Sequence, residues 1–260
     1  MTNGSEPVRL RKPPPPFRLM SVADVRHLSP RMLRLTFVGA DLRDLNVDGP
    51  AASVRLLIPS PGATDLVIPE WNGNEFLLPD GARPIIRTFT PRHIDPEGPS
   101  LVLDVVLHVG GAVSGWAQTV ETGAPAAVSG PGRSYSLDPE TTEYLLFGDE
   151  SAIPAIGQLI EVIPAGTSVR AVIEVSHPDA RVALPDHPAC LVEWLDRESA
   201  SPPGDRLVRA VEGAHLSEGT RLWAAGEAAA MHRIRQNLFQ ERAIERSRAT
   251  VRGYWKLSMD

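Results

Sequence analysis

The sequence predicts a β domain followed by an α/β domain. In the first half, apolar residues alternate with polar ones, for example over residues 33–37 and 101–107. Alternation with period two, between turns rich in Gly, Pro and Asp, is typical of an antiparallel sandwich or barrel. In the second half, short apolar strands alternate with segments whose apolar residues recur at helical spacing. That order predicts a parallel sheet with helices on both faces.

The composition is that of an ordinary globular protein and excludes several classes of function. Hydrophobic residues make up 42% of the 260 positions, which suffices for a buried core without disulfides. Lys and Arg number 26 against 32 Asp and Glu, and this acidic balance argues against binding to nucleic acid or to an anionic membrane surface. Cys190 is the only cysteine, so an internal disulfide and a cysteine-ligated iron–sulfur cluster are excluded.

The apolar stretches are too short for a membrane span, and the first residues lack the apolar core of a secretory signal. We therefore expect a cytoplasmic protein that does not bind membranes, and we expect it to be a monomer.

The chain divides into three predicted parts. Residues 1–16 end in four consecutive prolines and predict a flexible leader. Residues 17–138 carry the alternation of the β domain, and residues 139–260 form the α/β domain. Strands of the α/β domain are predicted at residues 143–147, 168–175, 189–194, 220–225 and 249–255, with helices after the first and the fourth.

Residues 87–92 stand out in the β domain because Arg87, Thr90 and Arg92 surround one aromatic residue, Phe89. Guanidinium groups bind phosphate bidentately, an aromatic ring packs on a flat ring system, and a hydroxyl bonds a ring nitrogen. The set therefore indicates a ligand that has both phosphates and a flat ring. The alternative is a strand edge whose arginines are solvated.

A Gly-rich turn after His108 is a second candidate. The turn passes through Gly110 and Gly111 and leads to a short predicted helix at residues 114–117. Successive backbone N–H groups in such a turn form a concavity that binds anions. The alternative is that His108, as a single histidine at a strand end, is structural.

In the α/β domain, three segments follow predicted strands at the carboxyl edge of the sheet, where open α/β sheets bind ligands. They are residues 148–151, 176–179 and 225–227. Gly148 allows a tight turn, and the helix after it offers N–H groups to an anion. The Gly-x-Gly-x-x-Gly fingerprint is missing, so the alternative is an ordinary turn in which Ser151 caps the helix.

Taken in order, these segments resemble the siderophore-interacting protein family of the ferredoxin-reductase-like flavoproteins. Residues 87–92 (RTFTPR) are similar to the family's flavin signature, Arg-x-Tyr-Thr-x-Arg. Residues 104–117 resemble its D-x-V-L-H … W-A segment, and residues 148–156 resemble its G-D-E-T/S-A-x-P-A-I segment. Residues 225–227 and 253–256 look like its A-G-E and G-Y-W motifs.

The resemblance implies a six-stranded antiparallel β-barrel that holds FAD, followed by an α/β domain that admits NADH or NADPH. It also implies the activity, which is reduction of Fe(III) held by a siderophore so that poorly chelated Fe(II) is released. A flavin accepts a hydride and passes on single electrons, which is the conversion that this reaction needs. Neither a resident metal nor a catalytic side chain beyond the flavin is expected.

The resemblance also assigns cofactor residues. It implies that Arg87 holds the flavin diphosphate, Phe89 packs on the isoalloxazine and Thr90 bonds near flavin N5. The other positions that it assigns to FAD are Thr88, Arg92, Val106, His108, Ser114, Gly115 and Trp116. In the second domain it assigns Gly148, Asp149, Glu150, Gly226 and Glu227 to the nicotinamide nucleotide crevice, and Trp255 completes the cofactor set.

Two positions set this chain apart within the resemblance. Phe89 replaces the family's tyrosine, so the phenol hydrogen bond is lost while the packing surface remains. FAD binding is expected to survive, with altered tuning of the flavin potential. Lys256 is expected to face an anionic ferric siderophore, with a solvated lysine near the chain end as the alternative.

Other functions fit the same motifs. One alternative keeps the flavoenzyme but changes the acceptor to a quinone, a free flavin or a redox protein, because one scaffold hosts many acceptors. A non-catalytic siderophore carrier is the alternative outside enzymology. The nucleotide preference also stays open, since His177 and Arg181 favour the 2′-phosphate of NADPH whereas Asp179 between them opposes it.

Overall fold

A computed structural model describes residues 13–257, and its first domain is an antiparallel barrel. Of the predicted leader, residues 1–12 lie outside the described residues, and residues 13–16 form neither helix nor strand. The barrel strands are β1 (Phe17–Ser29), β2 (Met32–Val38), β3 (Val54–Ile58), β6 (Ile85–Phe89), β7 (Pro91–Asp95), β8 (Ser100–Val106) and β9 (Pro125–Ser129). A separate hairpin of β4 (Glu70–Trp71) and β5 (Phe76–Leu77) projects between β3 and β6.

One bent strand closes the barrel. The strands are ordered β6-β3-β9-β1-β2-β8-β7, so β6 and β7 lie at opposite edges of the hydrogen-bonded sheet. Only Thr90 separates these two strands along the chain. Counted as a single bent strand, β6 and β7 join the two edges and make a barrel of six strands. The barrel of the predicted fold class is therefore confirmed.

The period-two alternation has its expected cause in the barrel core. Leu33, Leu35 and Phe37 of β2 point inward and are almost completely buried. Between them, Arg34 points outward and donates from Nε and Nη2 to the carboxylate of Asp104 on β8, at 2.7 and 2.8 Å. The Asp104 side chain is only 3% exposed, so this ion pair lies largely outside water.

The second domain is a five-stranded parallel sheet in the order β12-β11-β10-β13-β14. Its strands are β10 (Glu143–Asp149), β11 (Ser168–Val175), β12 (Cys190–Asp196), β13 (Thr220–Glu227) and β14 (Ala249–Trp255). The helices are α1 (Ala112–Thr119), which belongs to the barrel domain, α2 (Ile153–Val162), α3 (Asp205–Glu212) and α4 (Ala228–Gln236). A π-helical turn, Asn237–Glu241, continues α4.

Helices cover both faces of the parallel sheet, as the sequence predicts. Ile156 and Ile160 of α2 pack in the cluster on one face. Val208 of α3 and Met231 of α4 pack in the cluster on the other face. The sequence pattern did not indicate α3, because a helix of two turns shows only one repeat of its apolar spacing.

No helix within residues 13–257 has both the length and the apolar character that a membrane crossing requires.

We predict that the Arg34–Asp104 pair stabilises the barrel substantially. The variant Arg34→Ala leaves a buried carboxylate without its cation, and it should lower the free energy of unfolding by about 3 kcal/mol. Urea denaturation measures this loss. Arg83→Ala is the matched control, because it breaks an exposed pair with Glu75 and should cost less than about 1 kcal/mol. Equal losses in the two variants would contradict the prediction.

Candidate functional site

The bent strand presents Arg87 and Phe89 on one face. Arg87 pairs opposite Leu56 and Phe89 opposite Val54, and both partners belong to the barrel core. Directly paired residues share a face, so Arg87 and Phe89 point toward the inner side of β6. Phe89 is half-buried against the core, whereas Arg87 is exposed. Within the described residues, the Arg87 guanidinium donates one hydrogen bond, to the Ile86 carbonyl at 2.9 Å.

The exposure of Arg87 follows from the bend at Thr90. Before the bend β6 pairs with β3, and after it β7 pairs with β8. Among residues 13–257, no ladder joins β6 to β8, so one edge of β6 is unpaired, and we call this unpaired side of β6 the gap. Helix α1 follows β8 after a short turn and lies next to this gap.

The turn between β8 and α1 is held closed by Ser114. The Ser114 hydroxyl accepts the backbone N–H of His108 at 2.8 Å and donates to the His108 carbonyl at 2.9 Å. Gly110 has a φ of +77°, and a Cβ on Gly111 would overlap the His108 imidazole. This explains the two glycines. Because the Ser114 side chain is engaged, the groups at this turn that remain available to an anion are the backbone N–H groups that open α1.

The other residues assigned to FAD by resemblance have varied positions. Gly115 is exposed on the first turn of α1, and Trp116 packs half-buried against the barrel core. Thr88 is exposed on the outer face of β6, opposite Arg55. Val106 ends β8 and packs against the hydrophobic cluster of α2 at the domain interface. Of this group, Gly115 and Trp116 lie on the helix that borders the gap.

Arg92 does not join Arg87. Its Nη1 and Nη2 donate to the two carboxylate oxygens of Glu161 on α2, at 2.9 and 2.5 Å. The pair links the barrel to the second domain. The structure thus gives Arg92 an interdomain contact through one N–H of each terminal nitrogen. The flavin contact that the signature implies stays a prediction.

Asp149 is the centre of the carboxyl edge of the parallel sheet. Its Oδ1 accepts the backbone N–H and the hydroxyl of Ser151, at 2.9 and 2.5 Å. Its Oδ2 accepts the backbone N–H of Glu227 at 2.9 Å and the indole N–H of Trp255 at 2.7 Å. One carboxylate therefore ties together the ends of β10, β13 and β14. Burial raises the pKa of Asp149, and the hydrogen bonds from Ser151, Trp255 and Glu227 oppose that shift.

The carboxylates of Glu150 and Glu227 also accept hydrogen bonds from backbone N–H groups. Glu150 accepts the backbone N–H and the hydroxyl of Ser176, both at 2.6 Å, and pairs with Arg31 of the barrel at 3.1 Å. Glu227 caps α4 by accepting the N–H groups of Ala229 and Ala230, at 2.6 and 3.0 Å. Both carboxylates are buried.

Two glycines allow this crowded edge. A Cβ on Gly148 would overlap the side chain of Ala152, and a Cβ on Gly226 would lie 2.6 Å from Oδ2 of Asp149. Both predicted glycines are thus explained by close packing of the strand ends against the helix starts.

The two halves of the site meet at Thr90 and Tyr254. Thr90 is buried at the bend, and Tyr254 comes from the last strand, β14. Burial raises the pKa of Tyr254, while hydrogen bonding with Thr90 and the nearby Arg252 guanidinium lower it. The Tyr254 ring packs edge-on against Trp223, with ring centroids 6.2 Å apart. The residue predicted near flavin N5 therefore lies against the second domain.

Trp255 and Lys256 follow Tyr254 at the surface of this junction. The Trp255 side chain remains 36% exposed although its indole N–H is hydrogen-bonded to Asp149, and Lys256 is exposed.

The loop after β11, which carries the residues predicted to distinguish NADH from NADPH, forms hydrogen bonds mainly with protein groups. Arg181 donates to both oxygens of Asp196 at 2.8 Å, and His177 accepts the N–H of Asp179 at 3.3 Å.

Sequence reasoning did not single out Tyr254 or Arg31 as site residues. Tyr254 belongs to the Gly-Tyr-Trp motif, and that motif was the available signal. Arg31 lies in an ordinary turn, and nothing near it in sequence indicates its partner Glu150. Contacts between distant segments of this kind have no local signature.

The residues present fit FAD. Arg87 offers an exposed guanidinium beside the gap, and the start of α1 borders the same gap. Both features suit a diphosphate. Phe89, two residues further along the same face, supplies the surface for a flat ring system, and Thr90 follows at the domain junction.

The two domains and their junction define a protein with the ferredoxin-reductase-like fold. Ferredoxin-NADP+ reductase from Plasmodium falciparum has this fold, with a TM-score of 0.63 over 92% of this chain and 96% of its own, at 12% identity.

The chain belongs to the siderophore-interacting protein family. The model of the siderophore-interacting FAD-binding domain matches residues 21–135, and the siderophore-interacting protein model matches residues 141–258. The family resemblance seen in the sequence is confirmed.

Individual relatives match nearly the whole chain. An uncharacterized protein of Mycobacterium tuberculosis is 35% identical over 93% of this chain and 90% of its own length. Ferric vibriobactin reductase ViuB of Vibrio cholerae is 26% identical over 92% of this chain and 89% of its own length. The crystal structure of a siderophore utilization protein from T. fusca has a TM-score of 0.84 and 33% identity, over 96% of both chains.

We predict that a side chain at position 226 disrupts the hydrogen bonds of Asp149. The Cβ of Gly226→Ala would force the Asp149 carboxylate away from Trp255, and it should lower the free energy of unfolding by about 1–3 kcal/mol. Urea denaturation measures the change. Gly166→Ala serves as control, because a Cβ there meets no atom within 4 Å. If both variants unfold at the same urea concentration, the close packing at Gly226 does not contribute to the free energy of unfolding, and the prediction is wrong.

Proposed function

We propose that this protein is an FAD-dependent reductase that takes electrons from NADH or NADPH and reduces Fe(III) held by a siderophore. The observation that carries the proposal is the placement of Arg87 and Phe89 on one face of β6, a strand with one unpaired edge that leads to Thr90 beside Tyr254. Membership of the siderophore-interacting family and the similarity to ferric vibriobactin reductase support the choice of substrate.

The barrel would bind FAD through three groups. Arg87 would hold the diphosphate bidentately, since its guanidinium is exposed and has no carboxylate partner among the described residues. The backbone N–H groups at the start of α1 would bind the same diphosphate from the other side of the gap. Phe89 would pack against the isoalloxazine, with Thr90 hydrogen-bonding near N5.

The second domain would complete the reaction site at the junction. FAD, when bound, supplies the conversion between a two-electron hydride donor and one-electron reduction of Fe(III). Tyr254, half-buried beside Thr90, would keep water away from the reacting edge. Lys256, exposed beside this edge, would attract ferric siderophores that carry net negative charge.

The nucleotide would enter at the carboxyl edge of the parallel sheet. The residues at this edge are Gly148, Asp149, Glu150, Gly226, Glu227 and Trp255.

Because one chain contains the barrel, the sheet edge and their junction, we propose that the monomer is the active form. We also propose that it acts in the cytoplasm, where NADH and NADPH are available.

We predict that Arg87 is the main protein anchor for FAD. Removing its charge-assisted hydrogen bonds in Arg87→Ala should weaken FAD binding by about 10- to 100-fold, the equivalent of bonds worth about 1.5–3 kcal/mol. Titration of the FAD-free protein with FAD, followed by flavin fluorescence, gives the dissociation constant. The control Arg83→Ala removes a cation four residues away that pairs with Glu75, and it should leave the constant unchanged. If Arg87→Ala and the wild type bind FAD with equal affinity, Arg87 is not the main anchor for FAD.

We predict that the holoprotein releases Fe(II) from ferric siderophores when NADH or NADPH is supplied without oxygen. A chelator that colours with Fe(II) measures the rate for a ferric catecholate and a ferric hydroxamate, and absorbance measures the rate for a quinone. Lys256→Ala should raise KM for the anionic ferric chelate and leave the rate with a neutral quinone unchanged. Rapid quinone reduction without Fe(II) release would favour the alternative acceptor instead.

A further inference from the structure

Buried carboxylates occupy the helix starts at the carboxyl edge of the parallel sheet. Asp149 accepts the N–H of Ser151, and Glu150 accepts the N–H of Ser176. On β11, Glu174 accepts the N–H groups that open α3, from Gly204 at 2.6 Å and Arg206 at 3.1 Å. Glu227 does the same for α4. Each of the three strands β10, β11 and β13 thus carries an acid at or next to its end that accepts N–H groups of a helix start. For β11 this helix is α3, which follows β12 in the chain.

Asp149 lies where an open α/β sheet is expected to bind its ligand. Strand β11 lies on one side of β10 and β13 on the other, so the strand order reverses direction at β10. The crevice between the ends of β10 and β13 is the switch point of the sheet. The Asp149 carboxylate bridges it by accepting the Glu227 N–H at 2.9 Å, and the indole of Trp255 lies beside it.

In dinucleotide sites, the diphosphate binds to free N–H groups at the helix start that follows the first strand. Here Ser151 N–H is bound to Asp149, and Pro154 in the first turn of α2 has no N–H. A diphosphate at this position would also meet the negative charges of Asp149 and Glu150 in a buried setting, where like charges repel strongly.

Two of the arginines near this edge are already paired with carboxylates. Arg31 is paired with Glu150, and Arg181 in the loop after β11 is paired with Asp196. A phosphate that bound either of these two guanidinium groups would have to compete with its carboxylate partner. The Ser151 N–H and these two side-chain cations are therefore committed within the protein.

We propose that this edge excludes the diphosphate of a pyridine dinucleotide, and that Asp149 is the residue that determines this. NADH and NADPH then engage the protein through the nicotinamide end, with little contribution from the adenylate half. The inference rests on the proposed function only for the identity of the donor. The exclusion itself follows from the hydrogen bonds and charges at the switch point.

Titration calorimetry of the FAD-loaded protein with ADP-ribose tests the exclusion directly, because ADP-ribose carries the diphosphate without the nicotinamide. We expect a dissociation constant above about 1 mM, which corresponds to less than about 4 kcal/mol of binding. A constant below that value would overturn the proposal.

Anaerobic reduction kinetics give a second readout. Reduced nicotinamide mononucleotide lacks the adenylate half, and it should reduce the flavin with an efficiency within about tenfold of that of NADH, a difference of less than about 1.4 kcal/mol. A larger advantage for NADH would show that the adenylate half is bound, and the proposal would fail. If neither donor reduces a flavin that dithionite reduces, the proposed donor is wrong, while the ADP-ribose titration still decides the exclusion.

Charge-neutralising variants test the role of Asp149. Asp149→Asn should tighten ADP-ribose binding at least about tenfold by removing one negative charge from the switch point. Asp138→Asn is the matched control, because Asp138 precedes β10 at the opposite edge of the sheet and pairs with Arg221. If Asp149→Asn does not fold, Glu150→Gln removes the neighbouring charge and should tighten binding in the same direction. Unchanged affinity in the folded variant would refute the assignment.

Discussion

The bend at Thr90 is the constraint on which the barrel site depends. Because β6 pairs with β3 and β7 pairs with β8, one strand serves both edges of the sheet and must turn between them. The turn closes the barrel and at the same time separates β6 from β8, which exposes Arg87 beside the buried core. Closure of the barrel and the opening for a ligand are two consequences of the same bend.

The second constraint is a set of ion pairs and hydrogen bonds that hold the domains together. Arg92 binds Glu161, Arg31 binds Glu150, and Arg252 donates to the carbonyls of Ala51 and Ser134 at 3.0 and 3.1 Å. Together they align the carboxyl edge of the parallel sheet with the bend at Thr90. A reaction between a nucleotide at one domain and a flavin at the other requires that alignment.

The carboxyl edge shows how a familiar fold acquires a different electrostatic character. The backbone donors that this fold usually offers to a nucleotide are present, but Asp149, Glu150 and Glu227 accept hydrogen bonds from them. The acids stabilise the helix starts in the way that capping residues do. Under the exclusion that we propose, the same bonds would remove the edge's attraction for phosphate, which would link stability and ligand preference through the same side chains.

The period-two and helical patterns by themselves determined the order of the two domains and the bounds of β11 and β14, because these depend on local alternation of apolar residues. The motifs around Arg87, His108, Asp149 and Gly226 likewise predicted which segments form the site. The partners of those residues were decided by the tertiary structure. Whether Arg92 meets a flavin or Glu161, and whether Asp149 is free or bound to Trp255, depends on residues more than 60 positions apart. Such contacts arise when distant segments pack together, so local sequence patterns do not predict them.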